Sequence, residues 1–217
     1  MKSDVELQHD VTAELDWEPS VDPSRISVDV RDGVARLAGL VGSYAQKCDA
    51  EAAALRVRGV KGVIVEIDVE LPESSRRDDV DIGEAAHHAL SWNAAIPRGS
   101  VRVAVRNGWV VLSGAVEWEY QSRAAAASVR NLFGVRGLTN LIEIKPRIEP
   151  RDVSRQVEAA LRRRANHQAR NLSVAVNGRT VTLSGQLDSW GERQAARLAA
   201  WNAPGIRNVV DQTTIAA

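Results

Sequence analysis

One pattern recurs three times along the chain at a nearly fixed interval, and it restricts the fold more than any other feature. The middle occurrence spans Val105–Gly114 and reads Val-Arg-Asn-Gly-Trp-Val-Val-Leu-Ser-Gly. Related strings begin 75 residues upstream, at Val30, and 71 residues downstream, at Val176. A second landmark, Gly134-Val135-Arg136-Gly137-Leu138, recurs at the same two offsets. Self-similarity at one period predicts three copies of a module of about 70 residues.

Each copy reads as helix, strand, strand, helix, strand. Apolar residues spaced i, i+4, i+8 predict an amphipathic first helix in every copy: Leu7, Val11 and Leu15; Ile82, Ala86 and Leu90; Val153, Val157 and Leu161. Two alternating segments around a Gly-containing turn then predict a hairpin. A helical crossover joins the second strand to the third, so these strands should be parallel. We expect an α+β protein of three tandem αββαβ modules, each a three-stranded mixed sheet covered on one face by two helices.

The expected modules are residues 1–72, 78–146 and 150–217, separated by short linkers that contain Pro72, Pro146 and Pro150. Gly39, Gly114 and Gly185 interrupt the second strands, which indicates a bulge or a close approach of two backbones. Gly59, Gly134 and Gly205 are predicted C-caps of the second helices. Asp4 and Asp79 are the predicted N-caps of the first helices.

Two tryptophans, Trp17 and Trp92, occupy equivalent places just past the apolar stripes of the first two copies. We interpret them as lids on the edge of the core, and the alternative is that they are exposed ligand contacts. Trp and Tyr also cluster where the second helices begin, at Tyr44, Trp118, Tyr120 and Trp190.

No residue constellation in the sequence predicts catalysis, a metal site or a cofactor. Cys48 is the single cysteine, and its counterparts Arg123 and Gln194 predict an exposed thiol. His87 and His88 are adjacent on a helix, so they cannot converge on one metal ion. Phosphate-binding, zinc-protease and serine-hydrolase motifs are absent from the sequence. We therefore expect a protein that is not an enzyme, with no cofactor and no metal.

The string Gly-x-Val-x-Leu-x-Gly-x-Val, an Ala-rich helix and Gly-Val-x-x-Val resemble the BON domain, named for bacterial osmotically induced periplasmic and nodulation proteins. The middle copy shows the resemblance at Gly108–Val116 and Gly134–Leu138, and the other copies match similarly. The resemblance implies an αββαβ fold and a non-enzymatic module that binds phospholipid or membrane surfaces, in envelope integrity or osmotic stress. No ligand-binding residue carries over, because the matching positions form the scaffold.

Function is therefore expected to be binding or scaffolding of anionic phospholipid or envelope components in a stress or osmoprotective role. The alternatives are a protein–protein scaffold or oligomer in a stress response, and a small-ligand or ion sensor. The first residues contain no apolar signal segment, so we expect a cytoplasmic location; the family resemblance gives the periplasm as the alternative.

Charge is distributed unevenly over a chain whose net charge is zero. Residues 1–75 carry 8 Lys and Arg against 15 Asp and Glu, whereas residues 76–148 carry 10 against 7 and residues 149–217 carry 10 against 6. The densest basic run predicts a lipid or anion site in the third copy, at Arg162, Arg163, Arg164 and Arg170, with Trp190 as an interfacial anchor. The alternative is a solvated helix end. Nucleic acid is not an expected partner, because the Gly-x-x-Gly loops join a helix to a strand.

Strand parity predicts one sheet face in each copy that points away from the helices. In the first and third copies this face is mostly polar. The middle copy has Arg102, Ala104, Trp109, Val111, Leu141 and Glu143 there. A contiguous apolar patch usually marks an interface. We therefore expect Trp109, Val111 and Leu141 to dock another module, either within the chain or from a second copy in a homo-oligomer.

Overall fold

The computed structural model describes residues 2–145, 172–203 and 205–215. The first module contains α1 (Asp4–Trp17), β1 (Ile26–Arg31), β2 (Val34–Val41), α2 (Tyr44–Arg56) and β3 (Gly62–Val69). The second contains α3 (Asp79–Trp92), β4 (Val101–Arg106), β5 (Trp109–Val116), α4 (Glu119–Arg130) and β6 (Gly137–Ile144). The third contains β7 (Leu172–Asn177), β8 (Thr180–Leu187), α5 (Trp190–Trp201) and β9 (Asn208–Ile215). Its expected first helix lies outside the described residues.

The three sheets share one topology, which confirms the predicted fold class. In each module the second strand is central, antiparallel to the first strand and parallel to the third. The helices bury their apolar stripes on one face of the sheet. In the first module Val11 and Leu15 of α1 enter the same core as Leu37 of β2, and all three are almost fully buried.

Tight turns join the first two strands. Asp32–Gly33 and Asn107–Gly108 have positive φ at both central residues, which defines a type I′ turn whose twist matches the flanking strands. In the third module the central residues are Gly178 and Arg179. Of these, Gly178 has a positive φ of 58°, as in a type II′ turn.

Asp4 and Asp79 do not cap their helices as predicted. The N-caps are the preceding residues, Ser3 and Asp78, whose side chains accept the N–H groups of Glu6 and Asp81. The carboxylate of Asp79 instead accepts the backbone N–H groups of Asn107, at 2.7 Å, and Gly108, at 2.8 Å. Asp4 binds the first hairpin turn in the same way. Each acid therefore ties the first helix of its module to the hairpin.

Of the two roles predicted for glycines, the one in the second strands is confirmed and the one at the helix ends is wrong. At Gly114 a Cβ atom would lie 2.1 Å from the carbonyl oxygen of Ser100, so the strand interruption is a close backbone approach. The C-cap prediction is wrong, since α2 ends at Arg56 with Val57 as its cap. Gly59 follows in the turn, where its φ of 101° directs the chain into β3.

The first two modules contact each other through α2. Tyr44 packs against the core of the second module, and the carboxylate of Asp49 accepts a hydrogen bond from Arg130 of α4 at 3.2 Å. α2 also contacts α5 of the third module. One helix of the first module therefore meets both of the other modules.

Candidate binding surfaces

Trp17 and Trp92 are highly exposed, and their interpretation as lids on the core is wrong. Trp17 is 84% exposed and Trp92 is 78% exposed. Both lie at the C-terminal ends of the first helices of their modules, two residues past the last buried leucine. Because the same position is exposed in two modules, the alternative of exposed ligand contacts fits the geometry.

The surroundings of the two tryptophans differ. The ring of Trp92 stacks on His88 with 5.6 Å between ring centroids. It borders a cleft of about 810 Å³ that is also lined by His87, Pro97 and Arg98. No Asp or Glu is among the described residues that line this cleft. We call this surface the tryptophan cleft.

Trp17 lies in an acidic environment. Its neighbours along the chain are Asp16 and Glu18, and Arg56 pairs with Glu14 at 2.8 Å and with Glu18 at 2.7 Å. Hydrogen bonds from Arg56 and Ser20 lower the pKa of Glu18, so its carboxylate stays ionised at neutral pH. The charge beside the exposed tryptophan is therefore positive at Trp92, from Arg98, and mainly negative at Trp17.

The outer face of the second module, defined by Arg102, Ala104, Trp109, Val111, Leu141 and Glu143, carries an apolar patch. Trp109 is 50% exposed and Leu141 is 60% exposed, while Val111 between them is half-buried. The third module approaches the edge of this face, where Lys145 and then Arg207 lower the pKa of Glu143. Docking through Trp109, Val111 and Leu141 stays a prediction. Because Trp109 and Leu141 are exposed in the single chain, the partner considered below is a second copy of the protein.

The predicted anion site in the third module is described only at Trp190. Arg162, Arg163, Arg164 and Arg170 lie outside the described residues. Trp190 is half-buried at the start of α5, and the guanidinium of Arg193 lies 4.8 Å from its ring centroid. A cation over the ring face is a cation–π contact. The role of Trp190 as an interfacial anchor stays a prediction.

Cys48 is half-buried, so the prediction of an exposed thiol is wrong. It lies one turn from Tyr44 on α2, beside the second module, and burial raises its pKa. A raised thiol pKa lowers the thiolate fraction and so the reactivity of the side chain. The positions that align with Cys48 in the sequence could not reveal the neighbouring module that buries it.

Residues 2–145, 172–203 and 205–215 contain no group of three or more His, Cys, Asp or Glu arranged to hold a metal ion. Within the same ranges, no helix is both long and apolar enough to cross a membrane.

A family model described as the BON domain matches residues 3–70, 78–146 and 151–217. The chain belongs to the BON domain family. Its three copies fill the matched ranges in tandem, as the repeat predicted. The shared fold explains the turns and strand glycines of these BON modules, but a fold does not by itself determine function.

Other comparisons add little. A comparison with curated proteins gives no match. Among solved structures, CdsD, a structural protein of the Type III secretion system of Chlamydia trachomatis, is 19% identical with a TM-score of 0.27, covering 97% of this chain and 92% of that one. The PrgH periplasmic domain is 14% identical with a TM-score of 0.22, covering 88% of this chain and 95% of that one. These scores are too low to support an argument about function. The cytoplasmic location gains no support from any comparison.

Proposed function

We propose that this protein is a non-catalytic scaffold that binds anionic lipid surfaces of the cell envelope, in a stress or osmoprotective role, through its second BON module. The observation that carries the proposal is Trp92, which is exposed at a cleft lined by Arg98 and by no acidic residue among those described. An envelope role places the chain in the periplasm, the alternative given by the family resemblance.

Trp92 has the properties of an interfacial side chain. Trp prefers the boundary between lipid and water because it combines an apolar body with a polar N–H group. The stacked imidazole of His88 supports the ring, and Arg98 on the same cleft supplies a positive charge next to it. A basic residue near an anionic membrane contributes about 1 kcal/mol of attraction. The tryptophan cleft thus combines an apolar anchor with a charge of the required sign.

The third module contributes a second contact in this proposal. The basic run Arg162–Arg164, with Arg170 and Trp190, is its predicted site, and the excess of positive charge in residues 149–217 supports it. The acidic first module faces away from an anionic surface, because 15 acidic residues there outnumber 8 basic ones. Binding is therefore expected to orient the chain with its first module farthest from the lipid.

Co-sedimentation of the full chain with phosphatidylglycerol or phosphatidylcholine vesicles, at low and high salt, tests the proposal. We expect binding to the anionic vesicles that weakens with salt, since exposed charges are screened. Trp92→Ala should lower the bound fraction severalfold. Trp17→Ala is the matched control, because it removes an equally exposed tryptophan at the equivalent position of the acidic module, and it should change nothing.

The outcomes separate the two predicted contacts. If the wild-type chain binds neither type of vesicle, the proposal is wrong. An equal loss for Trp92→Ala and Trp17→Ala would show that the charge environment does not select the site. Charge reversal of Arg162, Arg163 and Arg164 should abolish binding, and unchanged binding would exclude that run as a lipid contact.

A protein–protein scaffold is the second candidate. The observation that favours it is the use of α2 as a shared contact, since Tyr44 packs on the second module while the same helix meets α5. Modules that already dock on one another present joint surfaces to a partner. Under this alternative the chain binds an envelope protein and shows no preference for anionic vesicles.

A further inference from the structure

The apolar patch of the outer face in the second module has an ordered centre. The indole N–H of Trp109 donates to the hydroxyl of Thr139 at 2.8 Å. The six-membered part of its ring lies over Gly137, where any Cβ atom would come within 2.4 Å of the indole. The ring is thus held in place by a hydrogen bond and by the absence of a side chain beneath it. A rigid aromatic group costs little conformational entropy on binding, which suits an interface.

The first module carries a smaller apolar patch at the corresponding place. On its outer face Ile64 is 50% exposed and lies next to Val34, which is half-buried. Charged residues of both signs surround this pair: Asp29, Glu66 and Asp68 are exposed on the same face, and so are Arg31 and Arg36, which lie beside Val34 and Ile64 in the strand register. Arg31 pairs with Asp29 at 3.2 Å. Glu66 pairs with Arg36 across the sheet.

The net charges around the two patches are opposite in sign. Arg102 and Arg106 of β4 and Arg136 before β6 are exposed around Trp109, and the described residues show no ion pair to any of them. Residues 76–148 carry 10 basic against 7 acidic residues, and residues 1–75 carry 8 against 15. Opposite potentials steer association and select the partner.

The two faces cannot meet within one chain as it is folded. The first module uses α2, on the helix side of its sheet, to contact the second module through Tyr44 and Asp49. Its outer face is the opposite side of that sheet and points away from the contact. The outer face of the first module can therefore reach Trp109 only from another molecule.

We propose that the outer face of the second module docks on the outer face of the first module of a second copy of this chain. Trp109 and Leu141 would pack on Ile64 and Val34, with sheet facing sheet at about 10 Å. Arg102 and Arg106 then face a surface on which three acids, Asp29, Glu66 and Asp68, outnumber the two arginines that pair with them, Arg31 and Arg36. Because the two surfaces differ, the contact is head-to-tail and repeats along a chain of molecules unless the rotation closes a ring.

A symmetric pairing of two second modules is disfavoured on the same grounds. It would bring the arginines around one Trp109 towards those around the other, and like charges placed opposite one another are destabilising. The head-to-tail contact needs no lipid. It can therefore hold or fail independently of the proposed function.

Complementary variants of the full chain test this arrangement by sedimentation velocity over a range of protein concentrations. Trp109→Glu disables the surface of the second module, and Ile64→Glu disables that of the first. Wild type should grow beyond a dimer as its concentration rises, whereas each variant alone should stay monomeric. Mixed in equal amounts, the two variants should form a 1:1 dimer that grows no further, since each retains one intact surface.

Val80→Glu is the control, because it places a charge at an exposed apolar residue of α3 that lies on neither surface; it should associate like wild type. Circular dichroism shows whether each variant is folded. If Trp109→Glu unfolds, Trp109→Thr replaces it, because the third module has a threonine, Thr180, at the equivalent position. Three results overturn the proposal: a monomeric wild type, self-association of Ile64→Glu as strong as wild type, or no dimer in the mixture.

Discussion

At Gly114 the strand β5 passes so close to the residue before β4 that no side chain fits between them. A Cβ atom would lie 2.1 Å from the carbonyl oxygen of Ser100, and φ is 128°. Gly39 is crowded in the same way by Arg25. The sequence could indicate these positions because glycine weakens the interior of a strand and is typical there of a bulge or a close backbone approach. The choice between a bulge and a close approach needed the coordinates.

Gly114→Ala should destabilise the second module by more than ~3 kcal/mol, because relieving a backbone clash requires movement of both strands. Gly99→Ala is the matched control. Gly99 also has a positive φ, of 72°, but nothing lies within 4 Å of its added Cβ, so the cost should be only about 1 kcal/mol. Urea unfolding followed by circular dichroism measures both, and equal losses would show that conformation rather than crowding requires the glycine.

The exposure of Trp17 and Trp92 could have been predicted from their helical spacing, although we interpreted both as lids on the core. Each follows the last stripe leucine by two residues, which is a rotation of about 200° around a helix. Such a rotation places the indole on the side opposite the core. The neighbouring charges, by contrast, could be taken directly from the sequence, and they distinguish the two sites.

At the scale of the element, the acid at the start of each first helix joins the helix to the hairpin. Asp79 accepts two turn N–H groups, so the helix position and the turn conformation support each other. An acidic residue at a helix start predicts a cap, and here the cap is the residue before it. Sequence alone cannot separate these two roles, because the hairpin turn lies 28 residues farther along the chain.

Asp79→Ala should lower the unfolding free energy of the second module by about 1–3 kcal/mol, since hydrogen bonds to a charged group are among the stronger ones. Asp81→Ala removes the same charge from the same helical turn but none of the bonds to the hairpin. It should cost well under 1 kcal/mol. Urea denaturation measures the unfolding free energy of both variants. Similar losses would mean that Asp79 stabilises the module only through its interaction with the helix dipole.

The third strands of the second and third modules carry polar side chains that the repeat pattern did not predict. Asn140 accepts the N–H of Ile142 and binds Ser122, while Asp211 at the equivalent place accepts the N–H of Thr213 and pairs with Arg193. These strands are sheet edges, and unpaired edge groups invite pairing with other chains. Their polar side chains occupy part of the edge. In the first module the equivalent residue is Val65, which packs against the core.

For the whole molecule, the period predicted three modules and their topology but not how they meet. Tyr44 and Asp49 make the contact between the first two modules. The sequence pattern of α2 predicts only that these two residues lie on the surface of that helix. The same reasoning gave Cys48 an exposed thiol, because Arg123 and Gln194 occupy its place in the other copies. Burial that comes from another module leaves no periodic signal in the sequence that contributes it.

Tyr44 offers a direct measurement of that contact. Burial against the second module, together with the charge of Cys48 and a hydrogen bond to it, raises the pKa of Tyr44 to about 12, from 10.0. The folded chain thus holds this proton more tightly than the unfolded chain does. The associated stabilisation is complete below pH 10 and is lost as the pH rises towards 12.

A Tyr120→Phe background leaves Tyr44 as the sole tyrosine, so absorbance near the phenolate band reports it alone. We expect ionisation near pH 12 in the native chain and near 10 in denaturant. Tyr44→Phe retains the ring but cannot ionise, so its unfolding free energy should fall less steeply between pH 10 and 12 than that of the background chain. Native ionisation near pH 10 would mean that the second module does not bury Tyr44, and that the first two modules are arranged differently in solution.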